Sequence, residues 1–88
     1  MCIIAIKPKG IEFPKTEIVK TMFVNNPDGF SIVWSENGEP PRIHRTLNAD
    51  AALKMYEKIT SSCDAYDTSM FIHARIATHG TIKVSNCH

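Results

Sequence analysis

Apolar residues along this chain occur in short blocks, and the spacing within each block predicts the element it forms. Cys2-Ile3-Ile4-Ala5-Ile6 is a continuous run rich in β-branched side chains, stopped by Lys7-Pro8-Lys9-Gly10. It predicts a buried strand followed by a turn. Chain ends are normally loose unless something ties them down, so a strand starting at residue 2 suggests that the terminus itself is needed. After Pro14, the residues Ile18, Val19, Met22 and Phe23 recur at helical spacing, with Thr16 as a candidate cap. They predict a helix of about ten residues. Asn25-Asn26-Pro27-Asp28-Gly29 ends that helix, because proline cannot continue the hydrogen-bond ladder and Asp-Gly favours a tight turn.

Phe30 to Trp34 alternates as a strand does, and Glu36-Asn37-Gly38-Glu39 carries the Asn-Gly pair that suits a two-residue hairpin turn, both of whose central residues tolerate positive φ. The returning strand is expected from about Arg42 to Thr46, after Pro40-Pro41. Asn48 is a credible N-cap for a helix with Ala49, Ala52, Leu53, Tyr56 and Ile59 along one stripe. Ser61 to Asp67 is a polar loop, and Ser69 to Ile76 is the last strand. Phe23, Phe30, Trp34 and Phe71 are candidate core aromatics. Helices that interrupt a sheet containing an antiparallel pair define an α+β architecture. The sum of elements looks unfinished, because the last strand runs directly into polar residues: His73, Arg75, Thr78 and His79, then Gly80, and Asn86-Cys87-His88 beyond.

Composition narrows the picture without naming a partner. The 88 residues leave room for one small domain, and a chain of this size buries only roughly 60 to 65 % of its unfolded surface. With 43 % apolar residues, 22 % charged residues and a net charge of +1, there is no field strong enough to gather nucleic acid. No apolar run approaches the roughly 20 residues of a membrane span, and the opening MCIIAIKPKG is too short in apolar residues for a secretory signal. A cytoplasmic location is the expectation. The three cysteines, Cys2, Cys63 and Cys87, are odd in number and widely spaced, so reduced thiols are expected.

Several stretches together resemble one family. Met1-Cys2, the Asn25-Asn26-Pro27-Asp28-Gly29 loop, and His73-Ala74-Arg75-Ile76-Ala77-Thr78-His79-Gly80 with Asn86-Cys87-His88 are similar, in this order, to the class II glutamine amidotransferases. The likeness is nearest to the small stand-alone forms found in bacteria and their phages. It implies an N-terminal-nucleophile hydrolase, built on an αββα sandwich of which this chain matches about half, and it implies no cofactor. The 88 residues therefore read either as a single domain or as the N-terminal fragment of such a domain. The expected partner is glutamine, with no nucleic acid and no membrane, and the chain is expected as a homo-oligomer or beside a missing C-terminal half.

The resemblance also assigns roles. Once Met1 is removed, the Cys2 thiol attacks the side-chain amide of glutamine while its own α-amine moves the proton. An amine with an unperturbed pKa of about 7.7 to 8.0 suits that task near neutrality. Ammonia leaves, and water then hydrolyses the thioester. Arg75 holds the α-carboxylate of glutamine with a planar guanidinium. Ile76, Thr78, His79 and His88 complete the substrate-binding set, and Asn26, Asp28 and Gly29 form a supporting loop near the nucleophile. Ile3 and Ser31 stand where the family commonly has glycine. The family's Asn-Gly oxyanion pair and the acidic residue that receives the glutamine amine follow the position of His88, and neither occurs in these 88 residues. Losing even one oxyanion donor costs on the order of 100-fold to 1000-fold in turnover.

Two other functions fit the same residues. A catalytically silent module of this fold would bind without turning over. A small zinc-binding domain would use His79, Cys87 and His88, although adjacent cysteine and histidine do not match the usual paired ligand spacing. His73 reads as an ordinary strand residue, and Cys63 and Cys87 as bystanders.

Overall fold

The computed structural model describes residues 2–76. In chain order the elements are β1 (Cys2–Lys7), α1 (Thr16–Asn25), β2 (Phe30–Glu36), β3 (Arg42–Thr46), α2 (Ala49–Ser62), a 3-10 turn (Ala65–Asp67) and β4 (Thr68–Arg75). The strands form one sheet in the order β1-β4-β2-β3, with every pair antiparallel. Burial follows position. Strands β4 and β2 are screened on both sides and hold the apolar runs Met70-Phe71-Ile72 and Phe30 to Trp34, whereas Arg42 and Arg45 keep β3 on the outside. The α+β class follows, with both helices on one face of the sheet.

The register sorts the side chains cleanly. Phe30, Ile32 and Trp34 of β2 stand beside Ala74, Ile72 and Met70 of β4, and these six meet Val19, Met22 and Phe23 of α1 and Ala52, Tyr56 and Ile59 of α2 in a single core. Phe23 and Phe30 pack edge-on, with ring centroids 4.8 Å apart. Fully burying side chains of this size is worth about 1.5–3 kcal/mol each, so two rows of strand residues and two helical stripes account for the fold's stability. Phe71 departs from expectation. It points away from the helices and is half-buried, because successive strand residues alternate and Ile72 takes the core side.

The helices follow their sequence signals closely, with one exception. Asn48 caps α2, its side-chain oxygen accepting the Ala51 N–H at 2.9 Å. At the start of α1, however, Thr16 is already helical and Lys15 occupies the cap position without a side-chain bond. Helix α1 is held instead by packing of Val19, Met22 and Phe23, and by the Tyr56 hydroxyl, which donates to the Pro14 carbonyl just before it. Ile18 lies off that stripe and stays 55 % exposed. No described helix is long and apolar enough to cross a membrane.

Three local expectations change. The apolar run at residues 2–6 predicts a buried strand; among the described residues it is an edge strand, and Cys2, Ile4 and Ile6 point to the face without helices. The β2–β3 connection runs over residues 37–41 rather than two residues. Its turn closes with Glu39 N–H donating to Glu36 O at 2.9 Å, and only Gly38, not Asn37, takes positive φ. The stretch 61–67 is not a plain loop, since it holds the end of α2 and the 3-10 turn, nucleated by the Asp64 carboxylate accepting the Tyr66 N–H at 2.9 Å.

Lys7 explains why that 3-10 turn sits where it does. Its side chain points inward from the end of β1 and is 2 % exposed; its ammonium donates to the carbonyls of Ala65 and Thr68 and lies 5.0 Å over the Phe13 ring. Burial lowers its pKa, while Glu12 and Asp64 act in the opposite direction. A buried ammonium is tolerated only when its donors are met, and here they cap two carbonyls that would otherwise face the protein interior.

Tyr56 supplies a test of the packing. Its hydroxyl is wholly buried and its pKa is pushed up to about 12 by that burial, from an ordinary value of 10.0. Between about pH 10 and 12 the unfolded chain releases a proton that the folded chain keeps, so stability falls as pH rises through this window. Tyr56→Phe is expected to cost about 1 kcal/mol near neutrality, by losing the bond to Pro14. The variant also escapes an alkaline loss on the order of 2 kcal/mol, so urea unfolding should find it the more stable protein above about pH 11. A constant difference at all pH values would contradict this account.

Candidate active site

The residues singled out by the sequence come from three distant stretches, and the sheet brings the described ones to one end. Cys2 at the start of β1 pairs in register with Arg75 at the end of β4. Directly opposed strand residues share a face, with Cβ atoms about 4.5–5.5 Å apart. Both therefore project to the side away from the helices. On the other flank of β4, the Arg75 N–H donates to the Gly29 carbonyl at 2.9 Å, and the Asp28 N–H donates to the Arg75 carbonyl at 2.8 Å. The Asp28-Gly29 loop is thus clipped to the backbone of Arg75, two strands away from Cys2.

Asn26 explains how the loop gets there. It is 2 % exposed and closes α1, with its backbone N–H donating to Met22 O at 3.0 Å and its side-chain amide to the same carbonyl at 3.4 Å. Pro27 then prevents a further helical turn, and the chain enters β2 beside β4. Ile76 follows Arg75 and is half-buried. Thr78, His79 and His88 lie outside the described residues, as do Met1 and Cys87.

Strand alternation brings in two further residues. His73 lies two positions before Arg75, and hence on the same face; its register partner on β2 is Ser31, and on β1 it is Ile4. His73 is 4 % exposed and Ser31 is fully buried. By sequence alone His73 is an ordinary strand residue. The period-two count from Arg75 is the signal that places it on the site's face.

The two described thiols differ in surroundings. Cys2 is exposed. Cys63 closes α2, half-buried, and its pKa is raised first by burial and then by the Glu36 carboxylate beside it, which leaves it a poor nucleophile. Among the described residues there is no group of three or more histidine, cysteine, aspartate or glutamate side chains able to hold a metal ion. The residues of the zinc alternative lie outside the described set. An accessible thiol whose partner across the ladder is an arginine, with a loop fixed to that arginine through main-chain bonds, suits nucleophilic attack on a substrate that carries a carboxylate.

No family model, no curated protein and no solved structure matches this chain.

The clip between the loop and Arg75 can be tested by hydrogen exchange. Asp28 precedes β2 and would exchange quickly in a free loop. With its N–H on the Arg75 carbonyl, it is expected to be protected to the same degree as the β4 amides, whereas the Gly38 amide at the hairpin tip exchanges fast. Equal, fast exchange at Asp28 and Gly38 would separate the loop from the site.

Proposed function

We propose that this protein hydrolyses the side-chain amide of glutamine, with Cys2 as the N-terminal nucleophile, passing the ammonia to an acceptor that lies outside these residues. The observation that carries the reading is the β1–β4 register, which sets Cys2 opposite Arg75, with Asp28-Gly29 bonded to the same residue. Those three pieces are the ones that resemble class II glutamine amidotransferases, and they are separated by 26 or more residues in the chain. In this reading the Cys2 thiolate attacks the amide carbonyl, the α-amine of Cys2 accepts the thiol proton and delivers it to the leaving nitrogen, and water releases glutamate from the thioester. Arg75 holds the glutamine α-carboxylate. The half-sandwich of the αββα fold belongs to this proposal as well.

A second reading, a module of the same fold that binds glutamine without turnover, has its own support. The only Asn-Gly pair in the sequence is Asn37-Gly38. It forms the tip of the β2–β3 hairpin, beyond Glu36, which pairs with Thr68 at the opposite end of β4 from Arg75. Six to seven residues of strand separate the two ends, about 20 Å. Asn37 and Gly38 therefore do not serve as oxyanion donors to a carbonyl at Cys2.

Ammonia release from glutamine, paired with titration of glutamine binding, distinguishes the readings. In protein whose mass shows loss of Met1, turnover is expected; in protein that keeps Met1 it is not, because a peptide bond on the Cys2 nitrogen removes the base. Cys2→Ala should abolish turnover and still bind glutamine. Arg75→Ala should weaken binding by on the order of 1.5 to 3 kcal/mol, the worth of a charge-assisted contact. Binding without turnover in Met1-free protein would select the silent module, and unchanged affinity in Arg75→Ala would remove Arg75 from the site.

A further inference from the structure

Strand β1 leaves one of its two backbone edges without a neighbour among the described residues, and this edge differs in kind from the one at β3. On β3 the edge is guarded by Arg42 and Arg45 and approached through Pro40-Pro41. Charges and prolines of this type keep other strands away. On β1 the five residues Cys2–Ile6 carry neither a charged side chain nor proline. The first charge is Lys7, whose ammonium is turned inward onto Ala65 and Thr68.

Both sides of this edge are prepared for more strand. On the open face, Ile4 is 53 % and Ile6 73 % exposed. On the helix side, a groove runs between the edge and α1, lined by Ile3, Ile18, Thr21, Met22, Glu17 and Asn25. A strand added here lays alternate residues into that groove and the others against Ile4 and Ile6. The segment required is therefore extended, uncharged and apolar on both faces, which is the description of β1 itself.

We infer that the β1 edge pairs with the β1 edge of a second copy, antiparallel about a two-fold axis at Ile4. The register follows from three constraints. Helices stay on one side of the joined sheet only when residue numbers in opposed pairs sum to an even number, because side chains alternate and opposed residues share a face. Lys7 is committed inward, and Pro8 lacks a donor, so pairing ends at Ile6. The longest match then sums to eight: Ile4 faces Ile4 of the second copy, Cys2 faces Ile6, and Ile3 faces Ala5 in the groove beside Ile18. An isologous contact of this sort closes as a dimer and leaves the guarded β3 edges outermost.

Sedimentation over a wide concentration range, with the full chain, gives the first measurement. A monomer–dimer equilibrium is expected, and Ile4→Lys, which sets two ammonium groups face to face at the axis, should weaken it at least about tenfold. Ile4 is more than half exposed, so the variant keeps its fold, which circular dichroism checks. Cross-linking gives an independent measurement. With Cys2, Cys63 and Cys87 changed to serine, Ile4→Cys should join two chains rapidly through a short bismaleimide, whereas Ile43→Cys, at 51 % exposure on the β3 edge, should not. A monomer at every concentration, a dimer indifferent to Ile4→Lys, or equal cross-linking at positions 4 and 43 would each overturn the inference. An edge taken by another protein, or by another stretch of the same polypeptide, gives the first of these results. None of the readouts involves glutamine, so they stand apart from the proposed reaction.

Discussion

The pairing of β1 with β4 is the constraint on which both the core and the candidate site depend. A slip of one residue would turn Ile3 and Ala5 out of the helix side and swing Cys2 away from the face it shares with Arg75. Lys7 resists that slip. It stands opposite Met70 at the far end of the same ladder, and its ammonium is bonded to the Thr68 carbonyl at the start of β4 and to Ala65 just before it. A one-residue shift would carry this charge to the open face and leave two carbonyls unpaired in the interior, where each such loss costs about 1–3 kcal/mol. A buried cation at one end of the strand thus fixes where the thiol stands at the other.

Much of the fold was legible because its elements obey local rules. The stripe from Ala49 to Ile59, the Asn48 cap and the Pro27 stop each act within a few residues, and the structure keeps all three. The failures are those where a distant contact decides. Thr16 caps nothing because Tyr56, forty residues on, already ties down the chain before α1 through Pro14. The 3-10 turn at Ala65–Asp67 has a local signal in Asp64, whose carboxylate accepts the Tyr66 N–H, but nothing within 61–67 announces that Lys7, near the other end of the sequence, bonds the Ala65 carbonyl. The strand at residues 2–6 is apolar at every position, a pattern that fits burial on both faces. Only the strand order reveals that it is an edge among the described residues.

For the candidate site, motifs single out residues, and topology decides which of them stand together. Cys2, Asp28-Gly29 and Arg75 stood out as residues in motifs, without any sign that β4 passes between the first two. Its central place is readable only in hindsight, from the absence of charge between Met70 and Ile72 and from His73 and Ala74, both nearly buried on opposite faces. His73 was overlooked for a different reason. A histidine in a strand is common, and its significance comes from standing on the face of Arg75 and opposite Ser31, a relation that requires β2 to be in place.

The open face divides along the strands. Toward Cys2 it carries Arg75, then the row Ile4, His73, Ser31 and Arg45, in which Ile4 is exposed and His73 and Ser31 are buried. One row further, Ile6, Phe71, Val33 and Ile43 stand side by side across all four strands, and Ile6 and Ile43 are more than half exposed. An apolar row that spans a sheet is the kind of surface that stable proteins cover. It is also separate from the groove beside α1, which lies on the other side of β1. The two surfaces make different demands. The row asks for a layer against the sheet, whereas the β1 edge asks for a strand within it. Cys2, the first residue of β1, is exposed, and among the described residues one neighbour alone holds its backbone. A second strand along Cys2–Ile6 would leave the Cys2 side chain on the face without helices and hold the main chain from both sides.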